Sequence, residues 1–230
     1  MRFFTILSLL VIGVMSIHAQ SNISDGYIKY TVSIDSDEPA AAFLSMGTTL
    51  ELAFKGNKTK GVANVANGTN SVSAIVDHSK KVGLTLMDVL GEKKAMKLTK
   101  DDFDKAASEL EKVSENPMRW TDDTKTIAGY SCQKVLMKDK ESGASIIVYV
   151  TKKINPKGDP LAQNLIRQLK GFPLGIVVRL DGNTVRVMAE KVSSRTPSDG
   201  AFSTSVPNGY ELTTREKLEK NAKERIEKNR

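Results

Sequence analysis

From residue 27 to 34 apolar and polar side chains alternate strictly: Ile28, Tyr30, Val32 and Ile34 take one side, Lys29, Thr31 and Ser33 the other. A period of two is the signature of a half-buried strand. Leu50, Leu52 and Phe54 repeat it, and Gly56-Asn57 is a turn dipeptide ahead of a Gly-, Asn- and Thr-rich strand-like stretch over 59–69; together they predict a hairpin. Two more apolar runs, 72–77 and 82–87, flank the polar loop His78-Ser79-Lys80-Lys81.

The period then changes. Phe103, Ala106, Ala107, Leu110 and Val113 fall at helical spacing behind Thr99-Lys100-Asp101-Asp102, a sequence resembling a capping box. Asp101, Asp102 and Asp104 occupy the first turn, where negative charge favours the helix dipole, and Asn116-Pro117 ends the helix. After a polar loop through Asp122 and Asp123, strands are predicted over 126–137 and 145–151, joined by the turn-rich segment 138–143. Leu161, Leu165, Ile166 and Leu169 mark a short amphipathic helix after Pro160, with Gly171 as its C-terminal stop. A last strand pair, 174–180 and 184–192, surrounds Asp181-Gly182-Asn183. Many short strands and two helices with one apolar stripe each predict an α+β fold on a mostly antiparallel β-sheet.

The chain opens with Arg2, an apolar run over 3–15, then Ser16, Ile17, His18 and the small residue Ala19. This reads as a secretory signal cleaved after Ala19; its apolar core, 13 residues long, falls short of the about 20 that span a bilayer. A periplasmic or secreted protein is the expectation. The remaining 211 residues fit one domain, residues 20–212, with a charged tail over 213–230. The single cysteine, Cys132, excludes an internal disulfide and a lipid anchor at the cleavage point, so stability must come from an ordinary core, in which Cys132 reads as a small buried residue.

Basic residues number 34 and acidic 27, a net charge of +7, and the last 16 residues hold seven basic and four acidic side chains. The body is therefore nearly balanced, which argues against a large nucleic-acid footprint, where a continuous basic face is expected. The tail opens with Thr213-Thr214-Arg215-Glu216, a second capping box, and aligns Leu218, Ala222 and Ile226 in a thin apolar stripe. It is read as a solvated helix, or as a contact for an envelope protein or an anionic membrane surface.

Chemistry is sparse. The exported chain has one histidine, His78, and one cysteine, so no zinc set of these ligands assembles. Gly129-Tyr130-Ser131-Cys132-Gln133 begins like a nucleophile elbow but lacks the second glycine and sits in a strand pattern. Asp35, Asp37 and Glu38 lack the glycine and distant glutamate of a calcium loop and read as a solvated turn. Phosphate-loop and dinucleotide fingerprints are missing, and Asn22, Asn57 and Asn67 start N-x-Ser/Thr triplets that matter only in a eukaryotic secretory pathway. No catalytic residue, metal ligand or cofactor site is assigned.

Four segments carry a resemblance: 125–134 (KTIAGYSCQK), Val148-Tyr149-Val150-Thr151, Gly171-Phe172-Pro173-Leu174, and Phe202 with Val206-Pro207-Asn208-Gly209-Tyr210. In order and motif they are similar to an envelope domain family of Gram-negative bacteria, of unknown function, which resembles the periplasmic lipoprotein carriers LolA and LolB. The stretch 171–176 also resembles the GLPGLI signature of a related family. The resemblance implies a curved antiparallel sheet, a half-open barrel, with helices covering its concave side and an apolar ligand such as lipoprotein acyl chains enclosed there.

The first function to follow is a non-enzymatic envelope protein that binds or carries a lipid, a lipoprotein or another apolar ligand. Its candidate lining is Ile28, Tyr30, Val32, Leu50, Leu52, Phe54, Leu84 and Leu86 on strands, with Phe103 and Leu110 on the helix. The same residues also fit a filled core, in which case the protein is an envelope interaction module. An enzyme is disfavoured, since nucleophile, base and metal sets are all wanting.

Overall fold

The computed structural model describes residues 22–38, 41, 45–158, 160–218, 220 and 224. The signal sequence, and Ala222 and Ile226 of the tail stripe, lie outside the described residues. Among those residues, twelve strands form one large, curved, unclosed sheet. They are β1 (Gly26–Asp35), β2 (Thr49–Lys55), β3 (Lys58–Val65), β4 (Asn70–Asp77), β5 (Val82–Val89), β6 (Glu92–Leu98), β7 (Met118–Ile127), β8 (Tyr130–Lys138), β9 (Ser145–Thr151), β10 (Phe172–Leu180), β11 (Asn183–Ser193) and β12 (Glu211–Leu212). The helices α1 (Lys100–Ser114) and α2 (Pro160–Gln168) and a 3-10 turn, Asp199–Phe202, complete the described elements.

The spatial order is β12-β6-β5-β4-β3-β2-β1-β11-β10-β9-β8-β7. Two meanders, β1–β6 and β7–β11, therefore lie side by side and are stitched where β1 pairs with β11, Ile28 opposite Val192 and Val32 opposite Val187. Neighbouring strands are antiparallel except for the short β12, which runs parallel to β6.

Side-chain alternation and register divide the first meander into two faces. One row runs Ile28–Leu52–Gly61–Ala74–Thr85–Met96 and the next Tyr30–Leu50–Ala63–Val72–Met87. Both helices pack on this side, hereafter the helix face: α1 sets Phe103 over it and α2 brings Ile166 against the cluster of Ile28, Phe54 and Phe172. Leu165 and Leu169 cover Val135, Met137, Val148 and Val150 of the second meander. The opposite face carries Ala53–Lys60–Ile75–Leu84–Lys97. There Phe202 of the 3-10 turn packs on Ala53 and Ile75, and Asp199 meets Lys55 at 3.0 Å.

Helix α1 starts as its sequence predicts. The Thr99 amide donates to Asp102 at 2.8 Å, and the Asp102 amide donates to the Thr99 hydroxyl at 3.3 Å, so two otherwise orphan donors are satisfied. None of its residues is fully buried.

Four expectations need correction. The strand predicted over 126–137 is two strands, because Ala128 and Gly129 both take positive φ, 49° and 84°, the geometry of a two-residue hairpin turn in which glycine is at home. The polar loop at Asp122 and Asp123 belongs to β7, an edge strand interrupted between Trp120 and Thr124; Gln133 holds the irregular stretch by donating to the Thr121 carbonyl at 3.0 Å. Strand β6 carries no legible alternation in sequence, because Glu92, Lys93, Lys94 and Lys97 leave only Ala95, Met96 and Leu98 as apolar positions. After α2 it is Lys170, not Gly171, that turns left-handed (φ 55°), while Gly171 is needed for space, a Cβ there falling 2.8 Å from the Thr151 carbonyl.

Candidate functional site

Three adjoining cavities lie on the helix face. The most apolar, about 420 Å³, sits over the seam between the meanders, with Tyr30, Leu50 and Leu52 on one flank, Ile176 and Val187 on the other, and Gly61, Ala63, Val72 and Ala74 as its small-residue floor. Val72 is 41% exposed, so the space is open to solvent. A second cavity, about 500 Å³, lies beneath α1, between Phe103 and Ala107 above and Ala74, Val76, Thr85 and Leu98 below. Ala74 borders both. A third, about 200 Å³, is lined by Leu52, Phe54, Thr59, Gln163 and Ile166, and His78 is common to it and the cavity under α1. The two larger volumes match small-molecule sites, which occupy roughly 300–1,000 Å³.

What empties the floor is residue size. Three strand glycines show the contrast. A Cβ at Gly83 meets Leu98 Cδ1 at 2.5 Å and the Ile75 carbonyl oxygen at 3.0 Å, and one at Gly175 meets the Met188 Cε at 2.9 Å; packing explains both. At Gly61 a Cβ meets nothing within 4 Å, and the backbone has no positive φ that requires glycine. A mid-strand glycine weakens its strand and often marks close approach of a ligand or another backbone. Gly61 lies directly beneath the apolar cavity.

Polar groups are confined to the margins. The Tyr30 hydroxyl donates to the Pro173 carbonyl at 3.1 Å, and burial holds its phenol well above the ordinary range, so it presents a neutral ring to the cavity. At the β4–β5 turn His78 Nε2 lies 2.9 Å from the Thr59 hydroxyl. Asp77 shapes that turn by accepting from the Ser79 hydroxyl at 2.6 Å and the Lys80 amide at 3.1 Å, and the Ser79 bond is the leading cause of its lowered carboxyl pKa. At the far border Asp102 is held below the usual carboxylate range, first by the Thr99 amide and then, against partial burial, by Arg215. Arg215 donates to it through Nε at 3.1 Å and also through Nη2. A separate cleft of about 630 Å³ between β6, α1 and residues 212–217 is lined by ions of both signs, Asp101, Asp102, Lys105 and Arg215 among them.

Of the expected lining, Tyr30, Leu50 and Leu52 border the apolar cavity, Phe54 the small one and Phe103 the cavity under α1. Val32 shares the helix face by register, and Leu110 is half-buried on α1. Ile28 is a fully packed core residue at 1% exposure. Leu84 and Leu86 do not join them: Leu84 pairs with Ile75 and Leu86 with Ser73 on the opposite face, where Leu86 packs near Phe202. The reason is parity. Gly83 and Thr85, not the leucines, point toward the helices. The floor residues Gly61, Ala63 and Ala74 escaped because small side chains leave no apolar pattern.

Cys132 and His78 are not brought together. Cys132 lies fully buried on β8, its thiol directed at the Tyr130 carbonyl at 3.4 Å and pushed by burial to about 11. Asp35 of the acidic trio faces Arg186 at 3.7 Å. The tail is not wholly free: the Thr213 amide donates to the Ala95 carbonyl at 2.8 Å, and Arg215 anchors its first helical turn on Asp102.

No helix among the described residues is long and apolar enough to cross a membrane. The chain matches no protein-family model and no curated protein. Among solved structures it is similar to PNGF-II (14% identity over 86% of this chain, TM-score 0.43) and to MucB, solved in complex with MucA(peri) (10% over 82%, TM-score 0.37). It is also similar to the beta-barrel-like protein of domain of unknown function DUF1849 from Brucella abortus, at 8% identity over 75% of this chain and 98% of that one, TM-score 0.34. The chain spans 32% of the length of PNGF-II and 57% of that of MucB.

Proposed function

We propose that the protein is a non-enzymatic carrier or binding protein of the cell envelope, which takes the apolar part of a lipid, lipoprotein or similar ligand onto the helix face of a half-open barrel. On this reading α1 and α2 cover the concave side, and the ligand lies between them over the seam of the two meanders. The observation that carries it is Gly61. A glycine that neither backbone nor packing requires, under an open apolar cavity, is accounted for if something else occupies the space above it. An extended acyl chain or a similarly slim apolar group fits a floor of Gly61, Ala63 and Ala74 walled by Tyr30, Leu50 and Leu52. Export through the N-terminal signal would place this site outside the cytoplasm.

The test is direct. Protein purified without detergent is extracted and its lipids identified by mass spectrometry, and the delipidated protein is titrated with a fluorescent apolar probe. Copurifying lipid at near-stoichiometric amount, and saturable probe binding lost in Gly61→Phe, support the reading. Lipid-free protein that binds no probe overturns it in favour of an interaction module.

A further inference from the structure

We propose that the β4–β5 turn is the polar pole of this site and that Lys81, with His78 beside it, receives the anionic headgroup of a single-chain amphiphile whose tail runs beneath α1 toward Gly61. This deepens the carrier reading and rests on it.

The charges around the cavity under α1 decide the sign of the headgroup. Asp102 is engaged by Arg215 and Asp104 by Lys100. Lys81, which also borders the cavity, has no ion-pair partner among the described residues. The one uncompensated charge at the cavity wall is thus positive. It is also placed with care. The Asp77 carboxylate, only 7% exposed as a residue, fixes Ser79 and Lys80, and Lys81 follows in the left-handed region at φ 51°, a conformation uncommon for a lysine. His78 opens the turn and borders two of the three cavities. Its neighbours Thr59 and Gln163 add hydrogen-bonding groups at the same end.

The geometry beyond the turn fits one chain. The cavity under α1 and the apolar cavity share only Ala74 among their lining residues, so they adjoin as a passage and not as one wide chamber. From β4, where the pole sits, to β10 the order is β4-β3-β2-β1-β11-β10, five interstrand steps of about 4.8 Å, or roughly 24 Å along the sheet. One leaflet of a bilayer's hydrocarbon core is about 15 Å deep, so an extended chain is accommodated.

The experiment compares three fluorescent ligands of equal chain length: a polyene fatty acid, its methyl ester and the matching monoalkyl phosphate. Each is titrated into the delipidated full chain, Lys81→Gln, Lys80→Gln and Gly61→Phe. Wild type is expected to bind an anionic ligand at least tenfold more tightly than the ester. Lys81→Gln should remove about tenfold of that, the scale of one hydrogen bond to a charged group, and leave the ester unchanged, while Lys80→Gln changes neither. Whichever anion binds tighter identifies the headgroup as carboxylate or phosphate. Equal affinity of wild type for acid, phosphate and ester overturns the pole, as does an equal loss for all three in Lys81→Gln; in both cases the carrier reading survives. Failure of wild type to bind any of the three removes the carrier reading itself.

Discussion

Replacing Gly61 by phenylalanine separates a site from an accident of packing, because the two readings give opposite results. Glycine within a strand costs about 0.5–1 kcal/mol relative to alanine. At Gly61 the new Cβ enters open space, so this cost is recovered without strain. The ring then lies on Leu52 and Ala74, its register partners. A fully buried phenylalanine removes about 150–250 Å² from water; a cavity open on one side takes about half, roughly 100 Å², which at about 25 cal/mol per Å² gives about 2.5 kcal/mol as an upper figure. Side-chain ordering offsets part of this. The variant is expected to be about 1–3 kcal/mol more stable than wild type, a rise in Tm of about 2–10 °C for a domain of this size, read by circular dichroism or calorimetry. Probe affinity measured on the same sample should fall more than tenfold. A variant that unfolds earlier shows Gly61 to be structural, and one that is stabilised yet binds probe as wild type does shows that the cavity is not the site.

Gly83→Ala, by contrast, drives a Cβ to 2.5 Å from Leu98 and 3.0 Å from the Ile75 carbonyl, and should cost about 1–3 kcal/mol in a urea titration. Phe202→Ala should cost about 3–5 kcal/mol, because this side chain, 5% exposed, fills the opposite face against Ala53 and Ile75; a neutral result would mean that the 3-10 turn is not part of the cooperative unit. Asp102 is held below its ordinary pKa, so its stabilising contribution is complete above the unfolded carboxylate pKa and disappears as pH falls through the lower folded value. Asp102→Ala should lower stability at neutral pH by about 1 kcal/mol, the scale of one capping device, and flatten the acid limb of stability against pH; an unchanged limb would remove Asp102 as its source. Cys132, fully buried with a thiol pushed to about 11, should react with a disulfide reagent only at the rate of unfolding, and rapid labelling of native protein would contradict its placement.

The elements that were legible in sequence are those whose hydrophobic period was clean. Strand β1 alternates Ile28, Tyr30, Val32 and Ile34, and α1 carries both a stripe and a capping box, so each was found close to its true bounds. What failed were positions where tertiary pairing overrides local pattern. β6 opens on Glu92, Lys93 and Lys94, yet it pairs with β5 on one side and, through Lys94 and Glu211, with β12 on the other. The Ala128-Gly129 turn lacks the asparagine or aspartate that announces most such turns, so the segment around it reads as one strand. Phe202, separated from β11 by a polar segment, gives no periodic signal at all, although it closes one face of the sheet.

The site was less legible than the fold, and the reason lies in parity across turns. Side chains on β4 and β5 share a face only by virtue of Asp77 pairing with Val82, and a turn one residue longer would have turned Leu84 and Leu86 toward the helices in place of Gly83 and Thr85. A sequence shows the leucines but not the parity, so large apolar residues are assigned to a cavity that their own register denies them. The residues that make room are the ones with least to show: Gly61, Ala63 and Ala74 are neighbours across β3 and β4 and would look, read singly, like weak strand formers. Their meaning appears only when register sets them beside Leu50 and Leu52 on one face, and when a Cβ added to one of them finds open space while the same test at Gly83 finds a clash. A cavity is therefore better sought, in a sheet of this kind, among small residues sharing one register row than among the largest apolar ones.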